Sequence, residues 1–412
     1  MKTDIDSILE ANEIDALLIT GPTQHNPAMV YFTGIVHVTN ADLVLPRGKP
    51  GTLFHGPMER EEAAKTGLQT RSYALYPLSD YMKRSSNDRF MATGRRYAQM
   101  LKDAGVTKGR VAVFGQAEVG ASYAAFNALQ EAMPEVEVVG FLSDEIVMKA
   151  METKSAEEIA RIRHMGQITT AVVAEIADYL SGRKVKDETL YDEVDCPLTI
   201  GKIKSKIDLL LAERGAENPE GTIFSIGHDA GVPHSNGNPT DVLRLGQTIV
   251  FDIFPCEAGG GYFYDFTRTW CLGYAPDEVQ QLYEQVRSVH DGAVKALKPG
   301  QIFGDSQRWA CEQFAAMGHA TILENPSTEE GYVHSLGHGI GLNIHEKPFS
   351  SLGTGVVDRL LPGSVFTIEP GLYYPSRGMG IRLEDSYWLN PDGHFEVLAD
   401  YPLDLVLPVR KH

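Results

Sequence analysis

One short segment in the middle of the chain carries two aspartates in a pattern typical of a β-hairpin. Residues 248–254 and 262–270 are rich in β-branched and aromatic side chains, and the glycines at 259–261 supply the positive φ that a reversal needs. A turn at the start of these glycines places Asp252 directly opposite Asp265. Facing carboxylates repel each other unless a cation lies between them, so the segment predicts a metal site. The alternative is a register shifted by one residue, with one aspartate buried and the other exposed.

A second segment repeats this arrangement. A turn at 375–378 places Glu369 opposite Glu384 in the same way. A Gly-His pair stands upstream of each hairpin, at 227–228 in the first copy and at 337–338 in the second. The repetition predicts a duplicated unit whose four carboxylates converge on one point. Chance agreement between such short patterns is the alternative explanation.

Composition restricts the class of protein. The chain has 412 residues, and since single hydrophobic cores stop growing at about 250 to 300 residues, we expect two domains. The net charge of -18 argues against a nucleic-acid or anionic-membrane partner, because those partners need a basic face. The acidic start and the absence of a run of 18 apolar residues predict a cytoplasmic protein. Four cysteines without Cys-x-x-Cys spacing fit reduced thiols.

The order of predicted elements divides the chain at about residue 150. Residues 1–150 alternate short strands, one of them predicted at 30–34, with helices, which indicates an α/β domain. Residues 151–412 begin with a capping box formed by Ser155 and Glu158, from which a long amphipathic helix starts. Two predicted helices precede each acidic hairpin. This order predicts an α+β domain with an internal repeat.

The predicted site combines oxygen and nitrogen donors with almost no sulfur. Four carboxylates and several histidines suit a hard divalent ion such as Mn²⁺, with Zn²⁺, Co²⁺ and Fe²⁺ as alternatives. Four facing carboxylates carry too much charge for one ion, so we expect a pair of ions about 3.5 Å apart. The histidines at 334, 338 and 345 lie in a glycine-punctuated run, and their periodicity does not rank them as ligands.

Taken together, these motifs resemble a known family. Those that carry the resemblance are Asp252, Asp265-Phe-Thr-Arg-Thr, His334-x-x-Gly-His-Gly-Ile-Gly, His345-Glu-x-Pro, Ile368-Glu-Pro-Gly and Gly380-Ile-Arg-Leu-Glu-Asp. The chain is similar over almost its whole length to the pita-bread metallopeptidases of the aminopeptidase P and prolidase branch. The resemblance implies a creatinase-type α/β domain at residues 1–150 and a pita-bread catalytic domain at 151–412, with an internal pseudo-twofold repeat.

The resemblance also implies a function and a role for each site residue. It implies a dinuclear peptidase that cleaves Xaa-Pro bonds at peptide N-termini through a metal-bridging hydroxide, either as an aminopeptidase or as a dipeptidase. The metal ligands would be Asp252, Asp265, His338, Glu369 and Glu384. Glu369 would also act as general base, and His234, His334 and His345 would position the substrate and protonate the leaving proline nitrogen. Arg382 would hold a ligating carboxylate from outside, and Thr267 would do the same for Asp265.

Two departures from the family pattern concern the first hairpin and the substrate site. The spacing from Asp252 to Asp265 is about two residues longer than is usual in the family, and the added residues fall in the predicted turn. An arginine that helps several prolidases hold the free carboxylate of a dipeptide is replaced here by Phe349, and Lys347 is a candidate substitute. Dipeptide specificity is therefore in doubt.

Alternatives from other functional classes remain open at this point. One is a creatinase-like hydrolase that is not a peptidase, or a non-catalytic binding protein of the same fold. Methionine aminopeptidase is a lesser alternative, since the amino-terminal domain is large. A homodimer is implied by the resemblance alone.

Overall fold

The computed structural model describes residues 5–142, 146–353 and 357–409. The chain forms two compact units. Unit 1 comprises Met1–Met151 with Gly259–Gly261, and unit 2 comprises Glu152–Ala258 with Tyr262–His412.

Unit 1 is built on a six-stranded mixed sheet with the strand order β4-β3-β2-β1-β5-β6. Strand β1 pairs parallel with β5 and antiparallel with β2. The strands are β1 (Ala16–Gly21), β2 (Ala41–Pro46), β3 (Thr52–His55), β4 (Gln69–Ser72), β5 (Gly109–Gly115) and β6 (Val136–Gly140). The helices are α1 (Ile5–Ala11), α2 (Pro27–Thr33), α3 (Arg60–Ala64), α4 (Leu78–Lys83), α5 (Arg89–Asp103), α6 (Val119–Ala132) and α7 (Val147–Met151). The alternation of strand and helix matches the α/β domain expected from the sequence.

The strand predicted at 30–34 is wrong, because this segment belongs to helix α2. Pro27 stands at the first helical position, where its missing N–H is not needed. The buried side chains of α2 are Met29, Val30 and Thr33, at helical spacing. The β-branched and aromatic residues of this segment suggested a strand, but the proline and the helical pattern of burial decide its structure.

Unit 2 contains four α-helices and fifteen short strands among the described residues. The helices are α8 (Ala156–Ser181), α9 (Ile200–Ala212), α10 (Asp277–Ala296) and α11 (Phe303–Ala316). The strands are β7 (Lys184–Lys186), β8 (Thr189–Tyr191), β9 (Ala216–Glu217), β10 (Thr222–Ile226), β11 (Thr248–Ile253), β12 (Cys256–Glu257), β13 (Phe266–Leu272), β14 (His338–Gly339), β15 (Glu346–Phe349), β16 (Val365–Ile368), β17 (Gly371–Tyr374), β18 (Met379–Arg382), β19 (Asp385–Leu389), β20 (Phe395–Val397) and β21 (Val406–Leu407).

The predicted repeat of two helices followed by strands is present in unit 2. Helices α8 and α9 precede the sheet β10-β11-β13-β21, and α10 and α11 precede the sheet β15-β14-β16-β19-β20. Helices α10 and α11 pack on the second sheet through an apolar cluster that includes Val286, Phe314 and Phe366. Among the described residues, no helix is long and apolar enough to cross a membrane.

The register predicted for the second hairpin is confirmed. Gly371 pairs with Arg382 in β17 and β18, and Ile368 pairs with Asp385 in β16 and β19. Both ladders share one register, so Glu369 and Glu384 occupy opposite positions between them. The turn contains Gly378 in the left-handed conformation that the tight reversal requires.

The register predicted for the first hairpin is wrong by two residues. Asp252 pairs with Thr267, and Asp265 lies just before β13. The two strands are not joined by a tight turn, because the connection contains β12, which pairs with β9. Side chains two residues apart on a strand share a face, so Asp265 is the diagonal neighbour of Asp252 on the same side of the sheet.

The capping box predicted at the start of α8 is confirmed. The Glu158 N–H donates to Ser155 Oγ, and the Ser155 N–H donates to Glu158 Oε2. We predict that Ser155→Ala lowers the free energy of unfolding by about 1 kcal/mol, because one N–H of the first helical turn loses its acceptor. Urea denaturation of the full chain measures this. Ser181→Ala, at the other end of the same helix, is the control, and an equal loss in both variants would contradict the prediction.

Candidate metal centre

Three of the predicted ligands meet in the interior of unit 2. One ligand atom each from Asp265, His338 and Glu384 lie within 4.8 Å of one another, and all three residues are buried. Asp265 precedes β13, His338 opens β14, and Glu384 lies between β18 and β19. The acids from the two halves of the repeat therefore converge, as the paired hairpins predict.

The hydrogen bonding of the His338 ring leaves the Nε2 lone pair available to bind a cation. Its Nδ1 donates to the Gly339 carbonyl at 3.1 Å, since a carbonyl oxygen can only accept. The lone pair on Nε2 then faces the acids, 3.4 Å from Glu369 Oε1 and 3.7 Å from Asp265 Oδ2. A backbone carbonyl that fixes the tautomer of a histidine is a common arrangement behind a metal ligand.

Buried oxygens without hydrogen-bond partners test whether the site fits a metal. Within the part of the chain that the structure describes, Asp252 Oδ1, Asp265 Oδ1 and Glu384 Oε1 are buried and have no partner. Each such acceptor carries a free-energy cost of about 1 to 3 kcal/mol, and more when it is charged. A cation between Asp265 and Glu384 would satisfy the oxygens of those two residues, and Asp252, whose charge acts on both, is a further candidate ligand. The donor set therefore fits hard divalent ions.

Arg382 and Thr267 link Asp252 to Glu384 through hydrogen bonds. Arg382 is buried, and its guanidinium donates to Asp252 Oδ2 and, at 3.2 Å, to Thr267 Oγ1. The Thr267 hydroxyl donates in turn to Glu384 Oε2 at 2.7 Å. The sequence predicted that Thr267 holds Asp265. This assignment is wrong, because Thr267 lies opposite Asp252 and its hydroxyl binds Glu384.

Burial determines the protonation of the site when no cation is present. It raises the pKa of Asp265 and Glu384 well above their ordinary values, and neighbouring carboxylates raise them further. Burial likewise raises the pKa of Glu369 to about 8 and lowers the pKa of both His338 and His334 to about 3. The histidines are therefore neutral, and the acids ionise readily only when a cation binds.

The three outer histidines lie around this centre. The ring centroid of His345 is 4.3 Å from that of His338. His334 Nδ1 lies 3.8 Å from Glu369 Oε2. His234 is exposed and follows Pro233, whose carbonyl accepts from Arg382 at 3.2 Å.

Tyr373 is a residue of the site that the sequence reasoning missed. Arg382 donates to its hydroxyl at 2.7 Å, and the hydroxyl donates to His334 Nε2 at 2.8 Å. The His334 Nδ1–H is used by the Ser335 carbonyl, so both ring nitrogens are engaged. No sequence signal marked it, because Glu369 precedes β17 whereas Tyr373 lies within it, and the two partners of its hydroxyl meet only in the folded chain.

The lysine considered as a carboxylate-binding substitute is not free. Lys347 Nζ lies 2.7 Å from Asp358 Oδ1, and the Phe349 N–H donates to Asp358 Oδ2 at 2.9 Å. Asp358 therefore neutralises the charge that a substrate carboxylate would need. The suggestion that Lys347 replaces the arginine of the prolidases is not supported by these contacts.

Two family models match the chain. The model described as metallopeptidase family M24 matches residues 160–391, and the model described as the creatinase/prolidase N-terminal domain matches residues 3–149. The Xaa-Pro dipeptidase of Pyrococcus furiosus is 30% identical over 252 residues, which cover 61% of this chain and 64% of that protein. The Xaa-Pro dipeptidase of Pyrococcus horikoshii is 26% identical over 392 residues, 94% of each chain. The alignments to the first three relatives span 53% to 64% of their lengths.

Solved structures with the same fold cover nearly the whole chain. An Xaa-Pro dipeptidase from Bacillus anthracis matches with a TM-score of 0.74 at 21% identity, covering 98% of this chain and 97% of that one. An X-Pro aminopeptidase from Thermotoga maritima matches with a TM-score of 0.72 at 23% identity, covering 95% and 97%. At these identities the likeness shows the fold alone. It confirms the expected pita-bread fold and the expected creatinase-type α/β domain.

The raised pKa of Glu369 predicts how the stability of the metal-free protein depends on pH. A carboxyl whose pKa rises on folding, here from 4.5 to about 8, stabilises the fold fully below pH 4.5 and loses that contribution as the pH rises to 8. We predict that the free energy of unfolding falls by about 2 kcal/mol between pH 6.5 and 8. His334 and His338, with pKa values lowered to about 3, act in the opposite direction, but most of their contribution falls below their ordinary pKa of 6.5. Above pH 6.5 the two together restore less than about 1 kcal/mol.

Urea denaturation of the metal-free protein at both pH values measures this slope. Glu369→Gln is the control, since it removes one titrating group and should make the dependence shallower. The pKa values of Asp265 and Glu384 are also raised, so these groups still act in the same direction. Stability that stays constant or rises over this window in the unsubstituted protein would contradict the prediction.

Proposed function

The chain belongs to metallopeptidase family M24, and from that premise we propose that it hydrolyses the bond before proline at the N-terminus of short peptides. We assign the reaction to residues 151–412 and to a pair of divalent metal ions. The observation that carries the proposal is the buried cluster of Asp265, His338 and Glu384, in which each carboxylate has one oxygen without a hydrogen-bond partner.

We propose two ions rather than one because four carboxylates and one imidazole converge on a small volume. Asp252 and Asp265 would hold one ion, His338 and Glu369 the other, and Glu384 both. When bound, such a pair polarises a carbonyl and lowers the pKa of a water molecule. Mn²⁺ suits this oxygen-rich donor set best. The proposal of a homodimer rests on the resemblance alone.

Glu369 is the proposed general base and proton carrier. Its side chain is only 13% exposed, and its two oxygens face His338 and His334. A base acts best when its pKa lies near the working pH, and burial moves the Glu369 pKa in that direction. In the reaction it would take the proton of the attacking water.

The outer histidines are the proposed substrate-positioning groups. The leaving proline nitrogen has no hydrogen and must gain a proton as the bond breaks. His234 and His345 are exposed and free to contact a peptide, whereas His334 is anchored by Tyr373 and Ser335. We therefore assign substrate contact to His234 and His345 and assign His334 to the support of Glu369.

We propose that the substrates include peptides longer than dipeptides. At the position where several prolidases carry an arginine for the free carboxylate, this chain has the apolar Phe349. The neighbouring Lys347 is paired with Asp358. A dipeptide carboxylate would find no unpaired cation at these two positions, so its binding would add little affinity over that of a longer peptide.

We predict that the protein, after removal of metal, regains hydrolysis of Xaa-Pro peptides as two equivalents of Mn²⁺ are added. Asp265→Asn should bind fewer than two equivalents and lose at least about 100-fold in kcat, because the removal of one metal-site ligand weakens both binding and chemistry. Metal analysis and peptide hydrolysis followed by mass spectrometry measure both. Asp277→Asn, in the exposed first turn of α10, is the control.

A protein that binds two ions but cleaves no Xaa-Pro peptide would reject the substrate assignment. A protein that binds no metal would reject the dinuclear centre. Assay of creatine beside the peptides separates the peptidase from the creatinase-like hydrolase of the same fold.

Phe349→Arg should shift the length preference toward dipeptides. A new guanidinium beside the substrate site would pair with the free carboxylate, and we expect a rise of about tenfold in the kcat/KM ratio of Ala-Pro to Ala-Pro-Ala. Phe349→Met is the matched control without charge. An unchanged ratio in Phe349→Arg, with metal content intact, would show that this position does not decide substrate length.

A further inference from the structure

A fully buried ion pair lies behind the segment that carries His345. Lys154 Nζ is 2.9 Å from Glu346 Oε2, and the side chains are 1% and 0% exposed. The other carboxylate oxygen, Glu346 Oε1, accepts from the Asn343 backbone N–H at 2.9 Å and from Asn343 Nδ2 at 3.2 Å. One carboxylate thus joins Lys154, which precedes the N-cap of α8, to both ends of the 343–346 segment.

The same pair is packed against the backbone that leads to the acids. A Cβ on Gly341 would lie 2.4 Å from Glu346 Oε2 and 2.9 Å from Lys154 Cε, so the chain passes directly over the pair. The Gly341 carbonyl accepts from the Phe263 N–H at 2.8 Å, two residues before Asp265. Glu346 also pairs with Gly339 in the ladder of β14 and β15, next to His338.

Stability alone does not account for such a pair. Burial removes both charges from water, and replacement of a buried ion pair by apolar residues of similar size is often neutral or stabilising. The pair instead orients the segment, because its hydrogen bonds hold Asn343 and Glu346, on either side of His345, in one geometry.

We propose that Lys154 and Glu346 form a positioning pair that holds the 341–346 segment so that the His345 imidazole stays beside His338. The proposal rests on the proposed function, in which His345 contacts the substrate. Neither Lys154 nor Glu346 touches the reacting atoms; they act through His345.

The decisive variant is the double substitution Lys154→Met with Glu346→Leu, which removes both charges and the Asn343 contacts together. We expect a Tm close to that of the unsubstituted protein, because no unpaired charge is left buried. We expect kcat to fall by about 10- to 100-fold with KM within about threefold and metal content unchanged, because a catalytic group is misplaced. The single variants, which leave one charge buried, should also lower the Tm.

A matched control exists in the same unit. Lys202 pairs with Asp192, whose carboxylate also accepts from the N–H groups of Val194 and Cys196. This pair likewise joins a lysine to a loop, but no residue of that loop belongs to the acid cluster. Lys202→Met with Asp192→Leu should leave kcat within about twofold of the original value, since it displaces no group of the centre.

Hydrogen exchange of the metal-free protein gives a readout that does not depend on activity. The peptide covering 341–346 should exchange faster in the Lys154→Met/Glu346→Leu variant and at the original rate in the control. Unchanged exchange, a kcat within twofold of the original, or loss of metal would each overturn the positioning role. If the unsubstituted protein cleaves no Xaa-Pro peptide, the proposed function fails, and the exchange experiment still decides whether the pair fixes the segment.

Discussion

Electrostatic crowding is the constraint on which the catalytic unit depends. Asp252, Asp265, Glu369 and Glu384 come from separate strand ends and share one interior volume. Like charges at such separations in a low dielectric repel strongly, and each carboxyl gives up hydration on burial. The fold can keep Asp265, Glu369 and Glu384 ionised only if positive charge enters with them, and otherwise burial favours their protonated forms. The pKa of Glu369, raised to about 8, reflects the same cost, because burial makes ionisation of this carboxyl less favourable.

The second hairpin could be predicted from the sequence because its determinants are local. Its turn is short, Gly378 adopts the left-handed conformation, and the strands on either side share one register, so the opposition of Glu369 and Glu384 follows by counting. The residue pairing of the first hairpin could not be predicted by counting from its turn. Its connection pairs with β9, a tertiary contact that no turn signal reveals, and Asp252 therefore opposes Thr267.

Other parts of the site could not be predicted because side-chain partners lie far apart in sequence. The Asp358 carboxylate that neutralises Lys347 comes from a separate segment, and nothing near Lys347 indicates it. Tyr373 shows no motif of its own, and its role is visible only once Arg382 and His334 are known to meet at its hydroxyl. Residue types and spacing identified the acids, whereas the groups that hold them depend on the folded arrangement.

The charge balance of the centre supports two ions over one. Four ionised carboxylates meet the single positive charge of Arg382, which is buried against Asp252, and His334 and His338 are neutral because burial lowers their pKa. Three negative charges remain. One divalent ion would leave the interior with net negative charge, whereas two leave a surplus of one positive charge, and that surplus favours an anionic nucleophile. Arg382 therefore does more than orient Asp252, because without its charge the two ions would only neutralise the acids and the surplus would vanish.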